Sequence, residues 1–389
     1  MRFLTAGESH GRALSVIIEG LPAGLTIDED YINYRLSLRQ RGYGRGGRMK
    51  IETDKAMLVS GVIGQKTIGS PLAFLIANKD YKRWQSVFSG ENEAEVTIDG
   101  DHTIAKLEAN FIMPRPGHAD LSGHMKYVFD KLRPVIERAS ARETAARVLV
   151  GSVAELLLKE FGIETFSRVV SIGSVVDSNQ YEDWEKTELD RSPVRVLCDP
   201  APFLAEIDKA KNDGDSLGGV VEIKVKGVMP GLGSYVHWDK RLDGQIAQAV
   251  ASIPAIKGVE IGQGFAQAKL PGSMVHDEIG YDNEFYRYTN RAGGIEGGIS
   301  TGEDIIVRAA MKPIPTLYKP LDTVELKTHK KVQASVERSD TCAVSAAAIV
   351  VEAMVAWVLA VNLVEKFGSD NLLDIKTNVK NYLKRLGEI

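Results

Sequence analysis

Cysteine is scarce in this sequence: among 389 residues only Cys198 and Cys342 occur. Two cysteines without metal-ligand spacing exclude a disulfide framework, predict no metal site and point to a reducing compartment. A surplus of one charge is also missing. The 48 Lys and Arg stand against 52 Asp and Glu, a formal net charge of −4, which argues against wholesale nucleic-acid binding while permitting local basic sites. No low-complexity linker divides the chain. No apolar stretch follows Met1, because Arg2 and Glu8 leave no room for one, so a cytoplasmic location is expected. One run, residues 342–364, is long enough to imitate a membrane span. It is isolated, rich in Ala and Val, and carries Glu352 near its middle, so it is expected to be a buried core helix, with no membrane as partner.

What is present is a sequence that repeats itself. Residues 7–25 (GESHGRALSVIIEGLPAGL) and 214–233 (GDSLGGVVEIKVKGVMPGLG) both read Gly-acid-Ser-x-Gly, then an alternating apolar run, then a Gly/Pro turn. Further on, ERASARE from Glu137 and ERSDTCA from Glu337 each lead into a long apolar segment, and these close with KEFG and EKFG. The order predicts one domain over residues 1–389 built from two pseudo-symmetric halves, about 1–200 and 201–389. Ser140 and Glu143 have capping-box spacing, and Gly162 and Gly368 stand where left-handed C-caps belong. At about 1.5 Å per residue, each helix is expected to reach about 30 Å. The runs LSVIIEG, VVEIKVKG and DIIVRAAM read as strands without regular intervening helices, so the fold class is α+β, with long apolar helices between two antiparallel sheets. The polar stretch 86–109 reads as an exposed insertion or lid.

Several motifs are decoys. Gly7-Glu8-Ser9-His10-Gly11 fits G-x-S-x-G, but a nucleophile elbow follows a core strand and opens a helix, whereas here a strand follows. The repeat spells GDSL at 214–217, again before a strand. GYGRGG at 42–47 fits a dinucleotide fingerprint, but the segment before it, DYINYRLSLRQ, is helical and residues 49–51 are extended. An RGG-type RNA-binding reading of RGYGRGGR requires a disordered basic tail; this segment lies inside a structured half, so nucleic acid is not expected as a partner.

The remaining signal is arginine among glycines: RQRGYGRGGR (39–48), PRPGH (114–118), ERASAR (137–142) and ERSD (337–340). Glycine permits close backbone approach, and arginine pairs phosphate and carboxylate with a fixed fork. A mildly acidic protein that concentrates arginine in this way is expected to hold a small polyanion. Of seven histidines, His10 and His118 lie in glycine-flanked motifs beside these clusters. A histidine near an anion can hold a proton at neutral pH and pass it to a leaving oxygen.

These segments, together with GDSLGG (214–219), GGIEGG (293–298) and MKPIPTLYKP (311–320), occur in one order and closely resemble chorismate synthases over essentially the whole chain. The resemblance implies a β-α-β sandwich with a pseudo-twofold, usually a homotetramer. It implies a lyase that removes phosphate and a C6 proton from 5-enolpyruvylshikimate 3-phosphate by 1,4-anti elimination. The product is chorismate, formed in the last shared step of aromatic biosynthesis, the shikimate pathway. It implies reduced FMN without net redox change, with NADPH as indirect reductant through an external flavin reductase.

By position, the resemblance makes His10 the acid for the departing phosphate and places His118 near the flavin, where it holds a proton. Asp340 assists proton removal at the flavin. Ser9, Arg39, Arg45, Arg48, Arg115, Arg142 and Arg338 hold the substrate, Arg39 and Arg45 being alternatively assigned to NADP. The flavin contacts fall on Arg138, Ala139, Ser140, Pro254, Ala255, Gly297, Lys312, Pro313, Ile314, Pro315, Thr316 and Arg338. The sequence departs from the family pattern at Met113, where a polar residue is expected, and in the length of 86–109. It departs again at Pro254, which limits that flavin contact to backbone.

Overall fold

The computed structural model describes residues 1–46, 53–89, 112–179, 181, 183–336, 339–368 and 370–388. Arg48, Arg338 and most of the proposed 86–109 insertion lie outside these described residues; of that insertion only its first residues, at the end of a helix, fall inside.

Strand alternation is realised as expected. In β2 (Ala13–Glu19) the side chains of Leu14, Val16 and Ile18 are buried while the intervening ones face outward. β2 pairs antiparallel with β1 (Arg2–Ala6) and with β4 (Leu72–Ala77), and β4 pairs with β3 (Ala56–Ser60). The first sheet therefore has the order β1-β2-β4-β3. The second contains β5 (Glu164–Ile172), β6 (Val175–Val176), β7 (Gly219–Lys226), β8 (Ile256–Ile261) and β9 (Ile305–Met311), in the order β6-β5-β7-β9-β8 and antiparallel throughout. Apart from the short β6, both sheets use the same order of strands along the chain: first, second, fourth, third. The mixture of antiparallel sheets and long helices is an α+β fold.

Helix α1 (Glu29–Gln40) begins at Asp28, whose Oδ1 accepts the Tyr31 N–H at 2.9 Å. Helix α5 (Thr144–Lys159) packs on α8 (Val344–Phe367), and α1 packs on both. α5 also touches β1, β2 and β5, while α8 touches β5, β7 and β9 and meets β1 through Phe3 and Trp357, ring centroids 5.0 Å apart. The α5–α8 crossing needs glycine: a Cβ on Gly151 would stand 2.3 Å from that of Ala353. α5 has 16 residues, about 24 Å at the usual rise, and is shorter than expected because residues 141–143 form a 3₁₀ turn instead. Ser140 caps that turn by accepting the Arg142 N–H, but the reciprocal half of the capping box does not form, because Glu143 pairs with Arg147 at 2.9 Å. At the other end, the Gly162 N–H reaches Lys159 and the Ile163 N–H reaches Leu158, with Gly162 at φ +72°, the bonding of a Schellman end.

α8 has the length and mean hydropathy, 2.3, of a membrane span, yet 94% of its apolar window is buried within the fold. The one charge within its apolar run, before Glu365 and Lys366 at the end, explains why. Glu352 accepts from Ser167 at 2.5 Å and Thr165 at 3.0 Å, and pairs with the fully buried Arg35 at 3.0 Å. Burial opposes ionisation of Glu352, but Arg35, Lys186 and Arg195 overcome it and hold the carboxyl below its usual range. The helix is built for a protein interior.

Candidate active site

Between β1 and β2 the chain turns through Gly7-Glu8-Ser9-His10-Gly11. Gly7 lies at φ +115°, and a Cβ there would meet the Ala13 carbonyl at 2.4 Å, so only glycine makes this turn. Its far side is held by helix α4 (Arg133–Arg138) and the residues after it. The Ser9 N–H donates to the Glu137 carbonyl at 3.0 Å, and Ser140 Oγ donates to Ser9 Oγ at 3.1 Å. Asn78 closes the near side, its Nδ2 donating to the carbonyls of Glu8 and Gly11.

His10 is largely enclosed, 17% of its side chain being exposed. Glu137 grips it twice: Oε2 accepts the His10 backbone N–H at 2.7 Å, and Oε1 lies 2.8 Å from Nδ1. Arg133, one turn earlier on α4, reaches the same Oε1 at 2.5 Å. Trp84, on helix α2 (Tyr81–Ser89), stacks on the imidazole with centroids 4.3 Å apart, and the Arg133 guanidinium lies over the indole at 4.0 Å. Burial would raise the Glu137 carboxyl, but the hydrogen bond from His10 and the charge of Arg133 outweigh burial and lower it.

Beside this turn the arginines gather. Arg142 donates to Asn78 Oδ1 at 2.9 Å and pairs with Asp54 at 2.6 Å. Arg39 bonds Thr144 and the Ala141 carbonyl and lies 3.4 Å from Asp54. Arg45 pairs with Asp340 at 3.1 Å, whose other oxygen accepts the Gly46 N–H at 2.6 Å. Burial pushes the Arg39 guanidinium down to about 10, with Arg142 and Arg45 pushing the same way and Asp54 and Asp340 offsetting only part. Buried Nη2 of Arg142 has no hydrogen-bond partner among the described residues. Among the described residues, the guanidiniums of Arg39 and Arg142 thus share the one carboxylate of Asp54, which leaves room for an anion.

A second group surrounds His118. Its Nδ1 lies 2.5 Å from Oδ1 of Asp120, the first residue of helix α3 (Asp120–Tyr127). Asp120 is fully buried and also accepts from the Arg115 side chain at 2.8 and 3.1 Å and from the Arg115 N–H at 3.0 Å. Burial opposes its ionisation, yet the bonds from His118 and Arg115 hold its carboxyl far below the usual range. Arg115 reaches on to Thr316 Oγ1 at 3.0 Å, so this guanidinium works largely within the fold.

Lys312 donates to the Gly117 carbonyl, and its own N–H donates to Ala255, a non-glycine residue at φ +70°. Burial, then the charge of Lys257, lowers the Lys312 ammonium. Neither lysine makes an ion pair among the described residues. Two cations without a carboxylate among the described residues, beside backbone turned back on itself at Ala255 and Gly117, leave a setting that suits an anionic group. Pro254 and Pro313–Pro315 lie in the same two segments.

Ser339 and Asp340 join the two groups. Ser339 Oγ donates to the Thr316 carbonyl at 2.9 Å, and Asp340 holds Arg45. The structure thus assembles Ser9, His10, Arg39, Arg45, Ser140, Arg142 and Asp340 on one side. On the other stand Arg115, His118, Ala255, Lys312 and Thr316. Arg138 is exposed, its one hydrogen bond among the described residues being to the Thr5 carbonyl at 3.5 Å, and Ala139 ends α4 beside it. Gly297 stands on an exposed hairpin tip, with no hydrogen bond to either group among the described residues. Sequence reasoning missed Asp54, Asn78, Trp84, Asp120 and Glu137. Glu137 opens the quoted motif ERASAR and Asp120 stands two residues past PRPGH, where a carboxylate near a histidine was the available signal. The other three have no local signal.

The family profile described as chorismate synthase matches residues 1–364. The chorismate synthase of Alkaliphilus metalliredigens is 54% identical over 387 residues, covering 98% of this chain and 99% of the relative. That of Moorella thermoacetica is 53% identical over 395 residues, covering both chains completely. A solved structure titled as the crystal structure of chorismate synthase superposes with a TM-score of 0.78 at 40% identity, covering all of this chain and 98% of that one. Matched along its whole length by relatives of one kind, the chain belongs to the chorismate synthase family of lyases.

Proposed function

We propose that the protein converts 5-enolpyruvylshikimate 3-phosphate to chorismate by 1,4-anti elimination of phosphate, using reduced FMN without net redox change. The observation that carries this reading is that Arg39 and Arg142 share one carboxylate, Asp54, among the described residues, with Nη2 of Arg142 buried and unbonded among them. A substrate with one phosphate and two carboxylates meets that need, and Arg48 and Arg338 would add to the same clamp. Arg39 and Arg142 orient the anion through fixed forks, and the enclosing helices keep water from competing for them. His10, tied to this cluster through Ser9, Ser140 and Asn78, protonates the departing phosphate. Asp340 sets the arginine segment by engaging Arg45 and the Gly46 N–H, and from that place serves proton removal.

The segments 254–255 and 312–316, with His118 alongside, would hold FMN, and Arg138–Ser140 would reach it from the first group. When bound, reduced FMN supplies electron density to the reacting ring as the C–O bond breaks. The His118–Asp120 pair holds a proton at the edge of that segment. The shared strand order of the two sheets supports two pseudo-symmetric halves around a sandwich of long helices. The working form under this reading is a cytoplasmic homotetramer supplied with reduced flavin by an external reductase drawing on NADPH.

Under anaerobic conditions, purified protein with photoreduced FMN should release phosphate and form chorismate; no turnover would overturn the reading. His10→Ala should slow the reaction by about 10²-fold or more, the usual range for a lost general acid. Supplying oxidised FMN and NADPH without another protein should leave the enzyme idle.

A further inference from the structure

We propose that Glu137 is the positioning residue of His10, fixing the ring with its Nδ1 proton on the carboxylate and Nε2 as the atom that exchanges a proton. The inference rests on the reading that His10 is the general acid, and it adds what makes that role possible.

The argument starts from the atoms around the ring. Oε1 of Glu137 lies 2.8 Å from Nδ1, and Nη2 of Arg133 lies 3.3 Å from the same nitrogen. Only one of these contacts can be a hydrogen bond in the neutral ring, because the arginine can only donate and the ionised carboxylate can only accept. The carboxylate is nearer. It also accepts the His10 backbone N–H at 2.7 Å and the Arg133 guanidinium at 2.5 Å, a set of donors that requires its charged form. Arg133 is therefore committed to Glu137, and Nδ1 carries the proton. Nε2 makes no hydrogen bond among the described residues.

Trp84 makes the placement rigid. The imidazole and the Arg133 guanidinium both lie against the indole, at 4.3 and 4.0 Å. Their 3.3 Å contact with each other puts them on the same face. The indole thus backs a flat assembly of guanidinium, carboxylate and imidazole, and blocks one side of the ring. Among the described residues, the charged groups in contact with His10 are Arg133 and Glu137, both from α4; α2 contributes the neutral Trp84. Among these, Arg133 alone would oppose an imidazolium at contact distance, and Glu137 cancels it. The step balances simply. Nε2 of the imidazolium gives its proton to the leaving phosphate oxygen, the ring becomes neutral with Nδ1–H on Glu137, and solvent returns the proton.

Long-range proton–nitrogen spectra of histidine-labelled wild-type protein test the geometry without turnover, with His10 identified by the signal lost in His10→Ala. The neutral ring should be the Nδ1–H form; an Nε2–H form would overturn the proposal even if Glu137 variants fail to fold. In Glu137→Gln, kcat should fall about 10-fold or more with KM within about twofold, the pattern of a weakened general acid. Glu137→Asp, which keeps the charge and the acceptor, should recover most of the lost kcat. A wild-type kcat in Glu137→Gln, with His10→Ala still slow, overturns this inference alone. A His10→Ala enzyme with nearly wild-type rate overturns the functional reading beneath it.

Discussion

His10 and His118 are built alike and placed differently. Each presents Nδ1 to a buried carboxylate that also binds an arginine and a backbone N–H. For His118 all these groups come from residues 115–120, so the unit is one loop closing on itself. For His10 the carboxylate lies 127 residues away on α4, so the unit exists only when the first sheet and that helix have met. The carboxylates differ as well. Asp120 opens a helix, where the backbone dipole favours negative charge, and it binds the Arg115 side chain through both of its oxygens. Glu137 shares Arg133 with the face of Trp84. One unit is local; the other is assembled from distant parts and is supported by an aromatic ring.

The largest expected break in this comparison comes from the carboxylates. Asp120→Asn removes the buried carboxylate that joins Arg115 and His118, and breaking a buried pair costs about 3–5 kcal/mol. Glu137→Gln should cost less, about 1–3 kcal/mol, as a lost charged hydrogen bond does, because Arg133 retains the indole. Urea unfolding of the two variants measures the difference. Equal losses would mean that Trp84 contributes nothing to holding Arg133.

The same contrast separates what could be read in the sequence from what could not. β2 and β9 were legible because a period of two buries one face of a strand; β7 alternates in sequence, yet Glu222 and Lys224 are buried along with its apolar residues. The α8 segment was legible as a core helix because one charge amid apolar residues needs protein partners, and Ser167, Thr165 and Arg35 are those partners. His10 and His118 stood out through their glycines and neighbouring arginines. The carboxylate that holds His10 did not, since nothing local links Glu137 to a residue so distant in sequence. Asp54 and Asn78 were invisible for the same reason: their roles are to bridge Arg39, Arg142 and the His10 turn across the fold. Even the short α5 was hidden, because Glu143 has the spacing for a capping box and yet turns to Arg147.

Acid should sharpen the comparison next. Both carboxyls are held below their ordinary values, 3.8 for Asp120 and 4.5 for Glu137. Such groups stabilise the fold fully above those values, and the contribution drains away as pH falls toward and through the lowered ones. Each unit of lowering is worth about 1.4 kcal/mol. Asp120 is held further down, so its contribution persists to lower pH and is larger. Stability measured from pH 6 to pH 2 should fall less steeply in Asp120→Asn than in wild type, with Glu137→Gln between them. A wild-type slope in Asp120→Asn would remove that carboxylate from the acid response.

The smallest effect is expected in the glycines beside each histidine. Gly117 lies at φ +81°, where a side chain is strained whatever the space, and its Cβ would stand 3.3 Å from the Lys312 ammonium that bonds the Gly117 carbonyl. Gly117→Ala should cost about 1–2 kcal/mol through the left-handed conformation alone. Gly11 is different. Its backbone lies outside the left-handed region, and the nearest atom to an added Cβ is Oε2 of Glu8 at 2.5 Å, the free end of a flexible side chain. Gly11→Ala should therefore fall within about 0.5 kcal/mol of wild type, since Glu8 can swing aside and alanine restricts the unfolded chain. The positive-φ requirement of the His10 turn falls instead on Gly7. Thermal unfolding of the two alanine variants decides the matter. A large loss in Gly11→Ala would mean that Glu8 is held in place, and that the His10 turn is as tightly determined as the His118 loop.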